Sequence, residues 1–596
     1  MKYINRLFWL SIVSSFLCGC SDSDKGITKA ICNPNATAST RSTVDENDCI
    51  HINLSNPKSS KSNVIIEEES GELIIKLKTD SAICLSLFGA HDGGVRIKNS
   101  NNVDVDLILN GITITSDSNP GYLKLNSGND NWGNTYLVKL VGNSSITGAS
   151  GEDSKKVLSA EPNLSFTGDG TLNIMAKYKT GIGCDDVLTV YSGNINITLD
   201  RAEAAKASGY EEKGFGIKAV NGFVMKGGTI HISANDNITN YESRGIKVDG
   251  SDATACHTGK GYIHIEDGTL NISSDAKALT AGWEASEDAT TQETSDDPQP
   301  DVVISGGKIT LTTTGTPREN NTNSLSPEGI EGKHNISISG GEIIVNTTDD
   351  GIQAGNTLEI SGGKIYAHAT KNDALDGNRS ILISGGKTFA LGASAPEGGL
   401  DADNNNNVSY TGGLLVAIGG DNNAPQGSGT MKSFIQTSLG TGGSSGNPGG
   451  PGGGMGGSSE LAGVTLALAA DGSADVIAAA KVPSGYVGGT NVLILADSIT
   501  SGASYTLYTS PEITPATAAW FNDALLIDSA TLSGGTANAV TAGTATGGGN
   551  PGGPGGGNPG GPGGGNPGGP GGGNPGGPGG GNPGGPGGDV PDKPGQ

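Results

Sequence analysis

A Gly-Gly step, or a glycine beside a small or acidic residue, recurs along this chain, and an alternating β-branched run follows it each time. After Gly170, Gly193, Gly228, Gly268, Gly307, Gly341, Gly363 and Gly386 come TLNIMA, NINITL, TIHISA, TLNISS, KITLTT, EIIVNT, KIYAHA and KTFALG. Eight such copies are the mark of a repeat architecture. A second alternating run precedes several of them, as in Val302–Ile304, Ile336–Ile338, Leu358–Ile360 and Ile381–Ile383. A third short element closes the unit: a small residue and then an aliphatic, as in Gly181-Ile182, Gly216-Ile217, Gly245-Ile246, Ala278-Leu279, Gly329-Ile330, Gly351-Ile352, Ala374-Leu375 and Gly399-Leu400. Later glycine pairs lie 22 and 23 residues apart, while earlier spacings of 34 to 40 imply inserted loops, one of them the acidic stretch 283–300.

Three strand-like elements per unit, separated by tight corners, predict an all-β chain whose residues 64–428 form a right-handed parallel β-helix, a three-sided solenoid. One coil cannot bury its inward Ile, Leu and Val, but coils stacked at about 4.8 Å merge them into continuous ladders. Glycine at the corners supplies the positive φ that such turns need. The composition agrees, with 101 glycines and only 4% aromatics. Leucine-rich and propeller signatures are absent.

Outside the repeat the chain is punctuated. Lys2 and Arg6 precede an apolar run, Leu7 to Leu17, too short to span a bilayer core of about 20 apolar residues and readable as a secretory leader over 1–19. Leu17-Cys18-Gly19-Cys20 resembles the lipobox of bacterial lipoproteins, which implies cleavage before Cys20 and a lipid on its sulfur. The residues after Cys20 carry no Asp in the next position, which points to an outer-membrane or cell-surface location, lipid-anchored. An N-terminal segment, 20–63, follows, within which Cys32 and Cys49 are close enough to bridge or are two separate buried thiols. After the repeat come a Gly/Pro-rich linker (429–458), a small β domain (459–545) and NPGGPGGG repeats of strict period eight (546–596). The last have nothing to bury and read as a disordered tether. Glycine is not at every third position, so collagen is excluded. A formal charge of −25 argues against nucleic acid.

The stretches Val105–Ile114, Gly168–Ile174, Asp349-Asp350-Gly351-Ile352 and the serial Ile-Ser-Gly-Gly turns carry a resemblance. In this order they resemble the clostridial cell-surface carbohydrate-binding family, whose described member is a calcium-dependent, polygalacturonate-binding β-helix similar in fold to pectate lyases. The resemblance implies a carbohydrate-binding domain over 64–428, an acidic polysaccharide partner and a calcium requirement. The chain departs from the pattern in its early coils, where Phe215-Gly216-Ile217-Lys218 and Arg244-Gly245-Ile246-Lys247 carry bases in place of acids.

Alignment on the third element puts carboxylates in register over the last four coils: Glu328 and Glu331, Asp349 and Asp350, Asp373 and Asp376, Asp401 and Asp403. Like charges about 5 Å apart repel unless a cation lies between them, and oxygen-only clusters suit Ca²⁺ with its 6–8 oxygen ligands. Asp350 and Asp376 are expected at outward turns. The other reading is a solvated acidic ridge. A polysaccharide lyase would need a base near the sugar's α-proton. Lys218, Arg244, Lys247, Lys277 and Lys333 are the candidates, although none shares a clear register with the richest acidic coils. Trp132, Tyr241, Tyr262 and Trp283 are candidates for stacking on sugars. Three functions follow: a non-catalytic Ca²⁺-dependent binder of pectin-like acidic polysaccharide, a structural or adhesive surface stalk, or a lyase.

Overall fold

The computed structural model describes residues 49–58, 61–128, 134–206, 213–236, 238, 241–250, 261–282, 299–318, 325–402, 407–426, 433–439, 460–515, 525–527, 530–533 and 535–543. The leader, Cys20, the linker, the terminal repeats, Trp132, Trp283 and Asp403 lie outside them. The repeat strands pair in parallel with their counterparts one unit on. Thus Lys308–Thr313, Glu342–Thr347, Lys364–Ala369 and Lys387–Leu391 stand side by side. The third elements pair in the same way, and their aliphatics form one inward line, Ile182, Ile217, Ile246, Leu279, Ile330, Ile352 and Leu375, every member fully buried. Each such side chain stabilises the fold by roughly 1.5–3 kcal/mol relative to leaving it in water.

The expected three-sided, right-handed helix is corrected by the hydrogen bonding. The repeat strands collect into two sheets, one of 23 strands and one of 12, and not into three separate faces. Two long strands, Gly222–Ala234 and Tyr262–Ser274, run straight through positions that the sequence reads as corners. Gly227, Gly228 and Gly268 therefore lie inside strands. Later glycine pairs do turn the chain: Gly341 and Gly363 take φ of +89° and +84°, which a side chain would strain.

Antiparallel pairing closes one end of each large sheet. Val64–Glu69 and Glu72–Leu77 form an antiparallel hairpin at the start of the 12-stranded sheet, with Glu67, Glu68 and Glu69 on its outer strand. At the other end Asn491–Ala496 pairs antiparallel with Leu414–Gly419, the last parallel strand. Beyond it, five antiparallel strands form a further sheet that belongs to the same compact unit. Leu466 and Leu468 of that sheet, with Val482 and Tyr486 after it turns, pack on Tyr366, Phe389, Leu391 and Val416, outward residues of the last repeats.

The disulfide is neither of the two arrangements that the sequence leaves open for Cys49. Ile50 stands opposite Leu85, which brings Cys49 to Cys84, and these two are bonded. Cys32 lies outside the described residues.

Candidate functional site

The 12-stranded sheet carries two columns of charge. Along one, Lys218, Lys247, Thr280, Glu331, Gln353, Asp376 and Asp401 follow one another in register. Along the other, backbone bonds from Gly245 to Lys277, Ala278 to Glu328, Gly329 to Asp350 and Gly351 to Asp373 set Arg244, Lys277, Glu328, Asp350 and Asp373 in line. The small residue of the third element makes this possible. A Cβ on Gly329 would meet Val345 Cγ1 at 2.2 Å, and one on Gly351 would meet the Ala374 carbonyl oxygen at 2.4 Å. Both columns are basic in the earlier repeats and acidic in the later ones.

Lys277 stands where the sign changes, and it does share a register with the acids, contrary to the sequence reading. Its ammonium lies 2.5 Å from Glu328 and 3.0 Å from Glu331, and Lys333 also pairs with Glu331. Burial opposes the charge on Lys277, but Glu331 and Glu328 hold its pKa above the ordinary value. Burial and the Glu331 charge push Glu328 up to about 7. Burial acts on Glu331 in the same sense, yet Lys277 and Lys333 overcome it and draw that carboxyl well down. Both glutamates are thus taken up in a buried ion-pair group. Replacing Lys277 by Met should destabilise the protein by about 3–5 kcal/mol in chemical denaturation, because Glu328 loses its lysine inside the structure and Glu331 keeps only Lys333. A loss below about 1 kcal/mol would show that the pairing carries little.

Farther along, among the described residues, the two columns continue with acids and Gln353 alone. Asp350 is 5% exposed and Asp373 7%, so the expected outward-turn setting of Asp350 is corrected, as is that of Asp376 at 6%. Asp350 Oδ1 accepts the Asp373 backbone N–H at 3.1 Å, and Asp373 Oδ1 accepts that of Gly398 at 2.5 Å. Burial, followed by the charges of Asp376 and Glu328, pushes Asp350 up to about 9. Burial pushes Asp373 up to about 8, with Asp401 and Glu397 adding to it against the Gly398 hydrogen bond. Asp349 is half-buried and accepts Asn372 Nδ2 at 2.9 Å. Asp401, also half-buried, bridges Asp376 along the backbone. Among the described residues no group of three His, Cys, Asp or Glu side chains is placed to hold a metal ion by itself. A cation here would have to draw further oxygens from water or from a ligand.

The candidate bases are all engaged. Lys218 and Lys247 meet Asp249 at 2.6 and 2.9 Å, Arg244 donates to Glu242 at 2.9 Å, and Lys277 and Lys333 hold Glu331. The lysine that sequence reasoning passed over is Lys179, brought down to about 8 by burial and by the charges of Lys155, Lys218 and Lys213. Its proximity to basic residues from neighbouring repeats could have been found only by stacking the repeats. Of the stacking candidates, Tyr262 lies 4.6 Å from His264, ring to ring, and Tyr241 is half-buried.

Residues 79–377, half of the chain, match the family model described as "Carbohydrate-binding domain-containing protein". The chain belongs to that family, a carbohydrate-binding one. No curated protein matches it. A solved structure, that of the polysaccharide lyase-like protein from C. thermocellum in a gadolinium derivative, aligns at 18% identity over 43% of this chain and 91% of that one, with a TM-score of 0.30. So loose a superposition says nothing further about this chain.

Proposed function

We propose that this protein binds acidic polysaccharide through Ca²⁺, without cleaving it, and that a lipid on Cys20 holds it at the bacterial outer membrane or cell surface. The observation that supports this most is the pair Asp350 and Asp373, two buried carboxylates one repeat apart, each driven toward its neutral form. Protons or a cation can supply that neutrality, and a Ca²⁺ with 6–8 oxygen ligands does so while keeping coordination positions open for uronate oxygens. Asp376 acts on Asp350 and Asp401 on Asp373, but no three of these carboxylates are placed to hold the ion, so water and the sugar's own oxygens would complete its shell. Glu328 and Glu331 leave the proposed ligand set because Lys277 and Lys333 already neutralise them. Binding is favoured over cleavage because a lyase base must accept a proton beside the ion: the five candidates stand in ion pairs, and Lys179 lies several repeats before Asp350.

Calorimetry with polygalacturonate on the full-length mature protein tests the reading. Binding should require calcium, vanish in chelator and be lost in the double variant Asp350→Asn with Asp373→Asn. Equal affinity with and without chelator would eliminate the calcium bridge, and no affinity for any acidic glycan would leave the surface-stalk reading. Cys20→Ala should move the protein out of the membrane fraction. An unacylated native N-terminus by intact mass would dispose of the anchor.

A further inference from the structure

A different surface lies on the outward side of the second strand in the middle repeats. Tyr262 and His264 are two residues apart on Tyr262–Ser274 and both face outward, since Ile263 and Ile265 between and after them are buried in the core. Their rings lie 4.6 Å apart and are inclined at 41°. A Cβ on Gly222, one repeat earlier, would come within 2.5 Å of the Tyr262 ring, so the ring rests against bare backbone and is held there. One repeat later comes Asp301, whose carbonyl accepts the Ile263 N–H at 3.0 Å. Asp301 Oδ1 meets His334 Nδ1 at 2.7 Å and accepts the Asn335 N–H at 3.0 Å, while the Asp301 and His334 side chains remain 42% and 26% exposed.

An aromatic ring beside planar donors and acceptors is the chemistry that recognises a pyranose: the ring covers the sugar's C–H face, and carboxylate, imidazole and amide groups bond its hydroxyls. The repeat spacing of about 4.8 Å presents Tyr262, Asp301 and Asn335 in equal steps, which suits an extended chain. The charge selects against uronates. Glu266 and Asp267 are exposed on the same strand as Tyr262, and the nearby Lys226 pairs with Glu266 at 3.3 Å. We propose that Tyr262, His264, Asp301 and His334 form a subsite for an uncharged oligosaccharide, separate from the acidic columns and independent of calcium.

Calorimetry on the full-length mature protein in chelator, with cellohexaose, xylohexaose and mannohexaose as probes, tests this. At least one should bind. Tyr262→Ala and Asp301→Ala should each weaken it about tenfold or more, and Tyr262→Phe should keep it. Asp350→Asn with Asp373→Asn should leave it unchanged. Absence of binding by all three sugars, or binding indifferent to Asp301→Ala in a normally melting variant, overturns the subsite. Neither outcome touches the calcium reading, which fails separately if polygalacturonate binds equally well in chelator.

Discussion

Raising the pH of the chelated protein from about 5 to about 9 should lower its melting temperature by several degrees, and millimolar calcium should cancel most of that loss. Asp350 and Asp373 have folded pKa values raised to about 9 and about 8 from an ordinary 3.8. A raised carboxylate binds its proton more tightly in the folded state. The stability it contributes is therefore complete below its unfolded pKa and disappears as the pH climbs through the folded one. Each pH unit in that window costs about 1.4 kcal/mol per group. Glu331 has the opposite sign, its stabilisation being lost only in acid, below its ordinary pKa of 4.5, so it does not disturb the window. Glu328, raised to about 7, carries the same sign below that pH; asparagine mimics the neutral acid, so Asp350→Asn with Asp373→Asn should remove the fall between about pH 7 and 9 and the response to calcium together. A melting temperature constant across this range in chelator, followed by differential scanning calorimetry, would sink the claim that these buried acids stand unneutralised.

The sequence made the inward ladder legible because its rule is local: a small residue and then an aliphatic sets Ile330, Ile352 and Leu375 in one line. The join between faces was not legible. Gly268 has φ of +101° and yet lies within a continuous strand, and composition cannot separate a glycine that breaks a strand from one that only bends it. Lys277 and Glu328 are 51 residues apart with an inserted loop between them, so their shared register could not be counted from spacing. The burial of Asp350 and Asp376 was missed for a related reason. Turn-favouring residues identify a corner, but not what covers it. Cys49 found Cys84 through strand register, which proximity in sequence does not reveal.

Ending the chain after Gln426 should make the protein aggregate. Leu414–Gly419 would lose its antiparallel partner Asn491–Ala496 and present a free row of backbone donors and acceptors, the kind of edge that recruits another copy. The same truncation uncovers Tyr366, Phe389, Leu391, Val416 and Ile418, all buried on the outer face of the last repeats. Such side chains are worth roughly 1.5–3 kcal/mol each when kept from water, and together they make a contiguous apolar patch. These residues were readable as a signal, since LLVAIG is apolar at both alternations and a strand with one wet face would not be. In the full chain, Ile494→Asp places a charge opposite Val416 in the same interface and should destabilise the protein by several kcal/mol while leaving the repeats' own pairing intact. Size-exclusion chromatography with light scattering, run beside thermal melts, measures both effects. A truncated protein that stays monomeric, with its melting temperature unchanged, would show that the C-terminal sheet is not the cap of this stack.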